Sequence, residues 1–241
     1  MAEFRVGTSG YQYDHWRWRF YPDKLAKRRW FAYYAEHFDT VEINNTFYNL
    51  PKPETFDRWR EQTPEGFVYA LKYSRFGTHI KRLKDPASHI GTFLERAGRL
   101  GGALGPILVQ LPPHWHAVPE RLDTFLEAAP RDRRWVVEFR DPDWFQPEIF
   151  DTLRRHNVPM CLHDMIEDHP RVLTADWVYL RFHGPSGDYS GSYTPQALSA
   201  AARRIREYLE GGLDVFAYFN NDAEAHAVDN ARDLRRYVLG D

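Results

Sequence analysis

The chain has 241 residues, with 32 Lys+Arg against 34 Asp+Glu for a formal net charge of −2, 43% hydrophobic residues and one cysteine. That length buries enough apolar surface to need no covalent staple, and a single cysteine excludes an intrachain disulfide, a thiolate zinc site and an iron-sulfur cluster. No apolar run approaches the roughly 20 residues of a membrane span, and residues 1–6 lack the basic and apolar regions of a signal peptide, so the sequence predicts a cytoplasmic protein.

Taken in chain order, short apolar strands alternate with longer amphipathic stretches, the mark of consecutive βαβ units. Strands are predicted at residues 4–9, 40–44, 68–74, 107–111, 135–140, 160–164, 178–183 and 215–220. Helices are predicted at 25–38, 54–62, 89–100, 121–128, 148–156, 195–210 and 223–239, and only the connection at 166–176 has no helical pattern. Thr194-Pro195 reads as an N-cap followed by proline at the first helical position, Gly211-Gly212 as a helix stop, and Asp222 as the cap of the last helix. No linker divides the chain. Eight strands in 241 residues therefore predict an α/β fold, a single TIM-like (β/α)8 barrel domain over residues 1–241 with a polar pocket at the C-terminal ends of the strands. The competing doubly wound sheet would carry a Gly-rich fingerprint, and Gly7-Thr8-Ser9-Gly10 has neither the dinucleotide nor the P-loop spacing.

Side-chain alternation divides each strand into an apolar outer set and an inner set. The inner set is polar: Glu42, Asn44, Lys72, Gln110, Glu138, Arg140, Arg181, His183, Tyr218 and Asn220, with His163 on the sixth strand and Arg5 on the first. Buried charges must pair with one another or with a ligand. One outcome is a self-satisfied salt-bridge network; the other is a ligand pocket at the strand ends. The net positive interior points to a small anionic ligand, a phosphorylated one above all, and to a possible hydrolase acting on it. Lys72, Arg140, Arg181 and His183 would hold the anion, since guanidinium forks match phosphate oxygens. Asn44, Gln110, His163, Tyr218 and Asn220 would line the site, and Glu42, Glu138 and His183 are the catalytic candidates. The same two glutamates would serve a carbohydrate-active hydrolase. They would also suit a divalent metal with His163 and His183, although no short metal-ligand motif is present. The Gly/Ser-rich segment 184–193 reads as a phosphate loop or a lid. Cys161 reads as strand packing.

Rings interleave with arginines in the loop after the first strand: Tyr11, Tyr13, Trp16, Trp18, Phe20 and Tyr21 with Arg17 and Arg19. Six basic residues stand against one acidic residue between positions 15 and 30. A second basic run, Arg75, Lys81, Arg82 and Lys84 with His79, follows the third strand. Such patches suit a non-catalytic nucleic-acid binding protein as well as ligand binding by Tyr13 and Trp16.

At these residues the chain resembles the YecE-like family, also called the domain of unknown function 72 family. The likeness rests on Gly7-Thr8-Ser9-Gly10 with Tyr13 and Trp16, Glu42-Ile43-Asn44-Asn45-Thr46-Phe47-Tyr48, Lys72, and Gln110-Leu111-Pro112-Pro113. It continues through Glu138-Phe139-Arg140 with Trp144, Arg181-Phe182-His183-Gly184 and Tyr218-Phe219-Asn220-Asn221. Asn45 stands where that family usually has Ser, and Asp141 where His is frequent. The resemblance implies a TIM-like barrel with a polar pocket at the strand C-termini, similar in broad shape to endonuclease-four-like metal-dependent enzymes, and implies no particular reaction.

Overall fold

Parallel strands alternating with helices make up the computed structural model, which describes residues 2–240. In order these are β1 (Phe4–Thr8), α1 (Trp30–Ala35), β2 (Thr40–Ile43), α2 (Asn45–Tyr48), α3 (Pro53–Gln62), β3 (Val68–Lys72), α4 (Pro86–Ala97) and β4 (Leu104–Gln110). There follow α5 (Pro119–Ala128), β5 (Trp135–Glu138), α6 (Pro147–Arg155), β6 (Leu162–His163), β7 (Trp177–Phe182), α7 (Pro195–Glu210), β8 (Asp214–Phe219) and α8 (His226–Leu239). The sheets have the orders β1-β8-β7-β6 and β2-β3-β4-β5. All eight predicted strands are present, and 166–176 is non-helical.

Helices α3 to α7 each begin on a proline, whose fixed φ and missing N–H suit the first helical turn. Thr194 caps α7 by accepting from the Ala197 N–H at 3.2 Å, and Gly212 ends the helix at φ +83°. Asp222 is not the cap of α8. Glu224 and Ala225 take left-handed φ of 57° and 65°, so the backbone breaks before the helix starts at His226. The predicted helix 25–38 also shrinks. Its α-helical part is Trp30–Ala35, a run rich in aromatic residues of low helix propensity, preceded by a 3-10 turn at Lys27–Arg29.

Two compact units share the chain. One comprises Met1–Glu42, Leu162–His169 and Asp176–Asp241; the other comprises Ile43–Cys161 and Pro170–Ala175. In the first unit, register places His163 beside Arg181 and Arg181 beside Tyr218, and an isolated parallel bridge sets Ser9 beside Glu42. In the second, Lys72 lies beside Leu108, and Gln110 beside Glu138. Arg5 sits at the N-terminal end of β1, away from the strand C-termini, and pairs with Glu3 and Asp39.

Aromatic rings fill the first unit's core. Tyr21 stacks on Trp30 at 4.4 Å between centroids, and Tyr11, Phe20 and Tyr34 pack around them. Burial pushes the Tyr11 phenol up to about 12 and those of Tyr21 and Tyr34 above their ordinary value. Because these values are raised on folding, the associated stability is intact below about pH 10 and is lost as pH climbs through the folded values. Melting temperature is expected to fall steeply above about pH 10, in step with tyrosinate absorbance. A flat profile beyond the ionisation of free tyrosine would contradict this account.

Candidate functional site

At the C-terminal end of the first unit's sheet, Glu42 is fully buried and saturated. It accepts a short hydrogen bond from Ser9 Oγ, another from the Tyr179 hydroxyl at 2.7 Å, and one from the Arg181 guanidinium at 2.8 Å. Burial alone would raise this carboxyl's pKa. Arg181 outweighs it, with the hydrogen bonds from Ser9 and Tyr179, and the net shift is downward. Arg181 is 2% exposed, so its charge is directed at Glu42. Tyr218 is buried as well, its hydroxyl 2.7 Å from Thr40 Oγ1. Trp16 is fully buried, its indole N–H donating to the Asp222 carbonyl, and Tyr13 packs on it at 4.9 Å.

His183 stands at the end of β7. Asp164 Oδ1 accepts its backbone N–H at 2.9 Å and lies 3.1 Å from its Nδ1. Burial pushes the Asp164 carboxyl up, but the bonds from His183 and Tyr193 prevail and hold it low, so it is ionised and can only accept. Nδ1 therefore carries a proton and donates to Asp164. His163 contacts both His183 and His169 edge to face, at 5.9 and 4.4 Å. Segment 184–193 folds back over this group: Tyr189 donates its N–H to the His183 carbonyl and sets its ring 5.5 Å from the imidazole. The fold-back needs Gly184, at φ +103°, because a Cβ there would lie 2.2 Å from the Ser190 carbonyl oxygen. Asn220 lies at the end of β8 and is largely buried.

The second unit gathers cations at the ends of β3 and β5. Lys72 is 8% exposed, with Nζ 4.4 Å above the Phe47 ring. Arg140 pairs closely with the fully buried Glu138 and reaches Gln110 at 3.5 Å. Cys161 Sγ lies 3.8 Å from the other Glu138 oxygen. Phe47 belongs to the short helix α2, led by Asn44, and Thr46 ties that helix to β3 by donating to the Lys72 carbonyl at 2.7 Å. Beyond β3 the chain makes a π-helical turn at Phe76–Ile80, followed by left-handed Arg82, Leu83 and Asp85. Both features concentrate at functional sites. The turn sets His79 edge to face on Phe47 at 4.9 Å. Burial lowers the His79 pKa to about 4, and Lys72, Arg75 and Arg140 push in the same direction. His79 and Phe47 are absent from the set found by strand alternation, because both lie on helical turns after the strands. Among the described residues no three His, Cys, Asp or Glu side chains converge as a metal-ligand group.

A family model described as protein of unknown function DUF72 matches residues 5–240. The chain is 36% identical over 126 residues to UPF0759 protein YecE of Escherichia coli K12, covering 51% of this chain and 46% of that protein. The chain thus spans about half the length of this curated relative. Among solved structures, a DUF72 family protein from Thermotoga maritima superposes with a TM-score of 0.83 at 24% identity, covering 99% of this chain and all of that one. A D-psicose 3-epimerase from Clostridium cellulolyticum, of TIM-barrel-like fold, superposes at 0.53 and 12% identity over 100% of this chain and 96% of its own. No helix among the described residues is long and apolar enough to cross a membrane.

Proposed function

The chain belongs to the DUF72 family of proteins of unknown function, and from that premise we propose that it binds a small phosphorylated ligand at the strand ends of its second unit. The observation that carries this reading is the pair of largely buried cations, Lys72 and Arg140, at the C-terminal ends of β3 and β5, with Glu138 as the acidic partner. A guanidinium and an ammonium gathered at the strand ends are the side chains that grip phosphate oxygens, the first in pairs and the second as a point charge. Gln110 supplies an amide beside Arg140. His79, neutral at physiological pH, would accept a proton from an attacking water if the bound phosphoester is hydrolysed. The likeness to TIM-barrel-like folds supports a single (β/α)8 barrel domain over residues 1–241, in which strand C-termini are the usual place for such a site.

Thermal shift against inorganic phosphate, sugar phosphates and nucleotides tests this reading. A ligand at a hundred times its Kd stabilises by about 2.7 kcal/mol, a rise of roughly 5–10 °C in Tm for a chain of this size. Lys72→Met, which keeps the stem over Phe47 and removes the charge, is expected to abolish most of that rise. The bound anion is also expected to raise the His79 pKa from about 4, read from its imidazole carbon-bound proton shifts. If no member of the panel stabilises the protein, or if Lys72→Met responds as the parent does, the anion site is disproved.

A further inference from the structure

Trp18 is out of place by two measures. Its ring is 74% exposed, while Trp16 and Trp30 nearby are 0% and 1% exposed. Its backbone is left-handed at φ 67°, a conformation that bulky side chains adopt only where the surroundings impose it. The surroundings here are rigid. Phe20 and Tyr21 both donate their N–H groups to the Trp16 carbonyl, at 2.9 and 3.0 Å, and the Trp18 N–H donates to the Tyr21 carbonyl at 2.9 Å. Buried Trp16, Phe20 and Tyr21 hold the turn down and its tip lifts one indole into solvent.

The loop that carries this ring is basic, with six basic residues against one acidic residue between positions 15 and 30. Arg17 and Lys27 lie 5.1 and 5.6 Å from the Trp30 ring, which stacks on Tyr21 beneath the turn. Lys27 is matched by Asp14 at 2.6 Å, and Arg19 reaches Glu224 at 3.6 Å. Lys24, Arg28 and Arg29 are exposed, and none of them has an acidic partner among the described residues. Cations thus outnumber the carboxylates available to them on the loop that carries the exposed indole.

We propose that this turn binds single-stranded nucleic acid, with Trp18 stacked on one unpaired base and Arg19, Lys24, Arg28 and Arg29 contacting phosphates. A flat aromatic face is sequence-tolerant and suits any base, and cations spaced around it track a backbone. Duplex bases are already stacked and offer no face to a side chain. A membrane surface would also attract the cations, but its apolar footprint needs several protruding side chains, and the other rings of this loop are turned inward. This site lies on the first unit and does not depend on Lys72 or Arg140.

The test is fluorescence anisotropy of a labelled short oligothymidylate with the full chain at several salt concentrations. Four phosphate contacts imply a log–log salt slope of about −3. Trp18→Ala, at an exposed position, is expected to weaken binding about tenfold with the slope unchanged. Arg28→Gln with Arg29→Gln is expected to flatten the slope by about 1.4. The proposal is overturned if the parent chain shows no binding at low salt, if Trp18→Ala binds equally, if a duplex of the same length competes as well as the single strand, or if only vesicles of anionic phospholipid are bound.

Discussion

Replacing Arg181 by methionine is expected to cost about 3–5 kcal/mol of stability, a fall of roughly 6–20 °C in Tm. Methionine fills much of the stem's volume, so the loss comes from charge: Glu42 would remain fully buried with Ser9 and Tyr179 but without its counterion. Adding Glu42→Gln to that variant is expected to restore part of the loss, since a neutral amide no longer needs the guanidinium. The pH response separates this mechanism from simple cavity formation. In the parent chain the Glu42 pKa is depressed on folding, so its contribution is present above the unfolded value of 4.5 and disappears as pH falls through the folded value. Without Arg181, burial dominates and raises the carboxyl instead, so the variant gains relative stability in acid. The gap in Tm between parent and variant should therefore narrow below about pH 5. A gap that stays constant from neutral pH into acid would show that the lost contacts, and not the charge, set the cost.

Strand alternation predicted which polar residues share a face, because a two-residue period leaves little choice once the apolar set is fixed. Register agrees for His163, Arg181 and Tyr218, and for Gln110 and Glu138. What alternation could not show is how those groups divide among partners. Arg181 looks like a ligand clamp in sequence but is engaged by Glu42, a residue 139 positions away. Trp16 reads as a ligand-binding ring in sequence, and its burial follows from the fold of a loop with no periodic pattern. His79 was visible only as part of a basic run, and its place on a π-helical turn has no sequence period to announce it. One further signal is legible in the sequence: prolines 53, 86, 119 and 147 mark the true first residues of α3 to α6. The amphipathic pattern placed each of those starts one to three residues late, since a first turn carries few buried side chains.

Gly7→Ala is expected to be strongly destabilising. An ideal Cβ at Gly7 would lie 2.3 Å from the Thr40 carbonyl oxygen and 3.0 Å from the Tyr34 hydroxyl. The oxygen is backbone and cannot rotate away. It also accepts the Tyr34 hydroxyl at 3.0 Å, and that hydroxyl in turn accepts the Thr8 N–H at 2.9 Å. Relief would therefore require β1 to move away from Thr40, breaking both hydrogen bonds in a buried setting and loosening the neighbouring Ser9 contact to Glu42. Overpacking of this kind costs about 3 kcal/mol or more where backbone must shift, a fall in Tm of at least about 6 °C. Gly91→Ala is the matched control, because Gly91 lies in α4 with nothing within 4 Å of an added Cβ. There the same methyl is expected to stabilise by about 0.8–1 kcal/mol through helix propensity alone, raising Tm by about 2–4 °C. Opposite signs from two identical chemical changes would show that the closeness of β1 to Thr40, and not a general intolerance of glycine replacement, makes Gly7 necessary. Equal or same-signed shifts would remove that explanation.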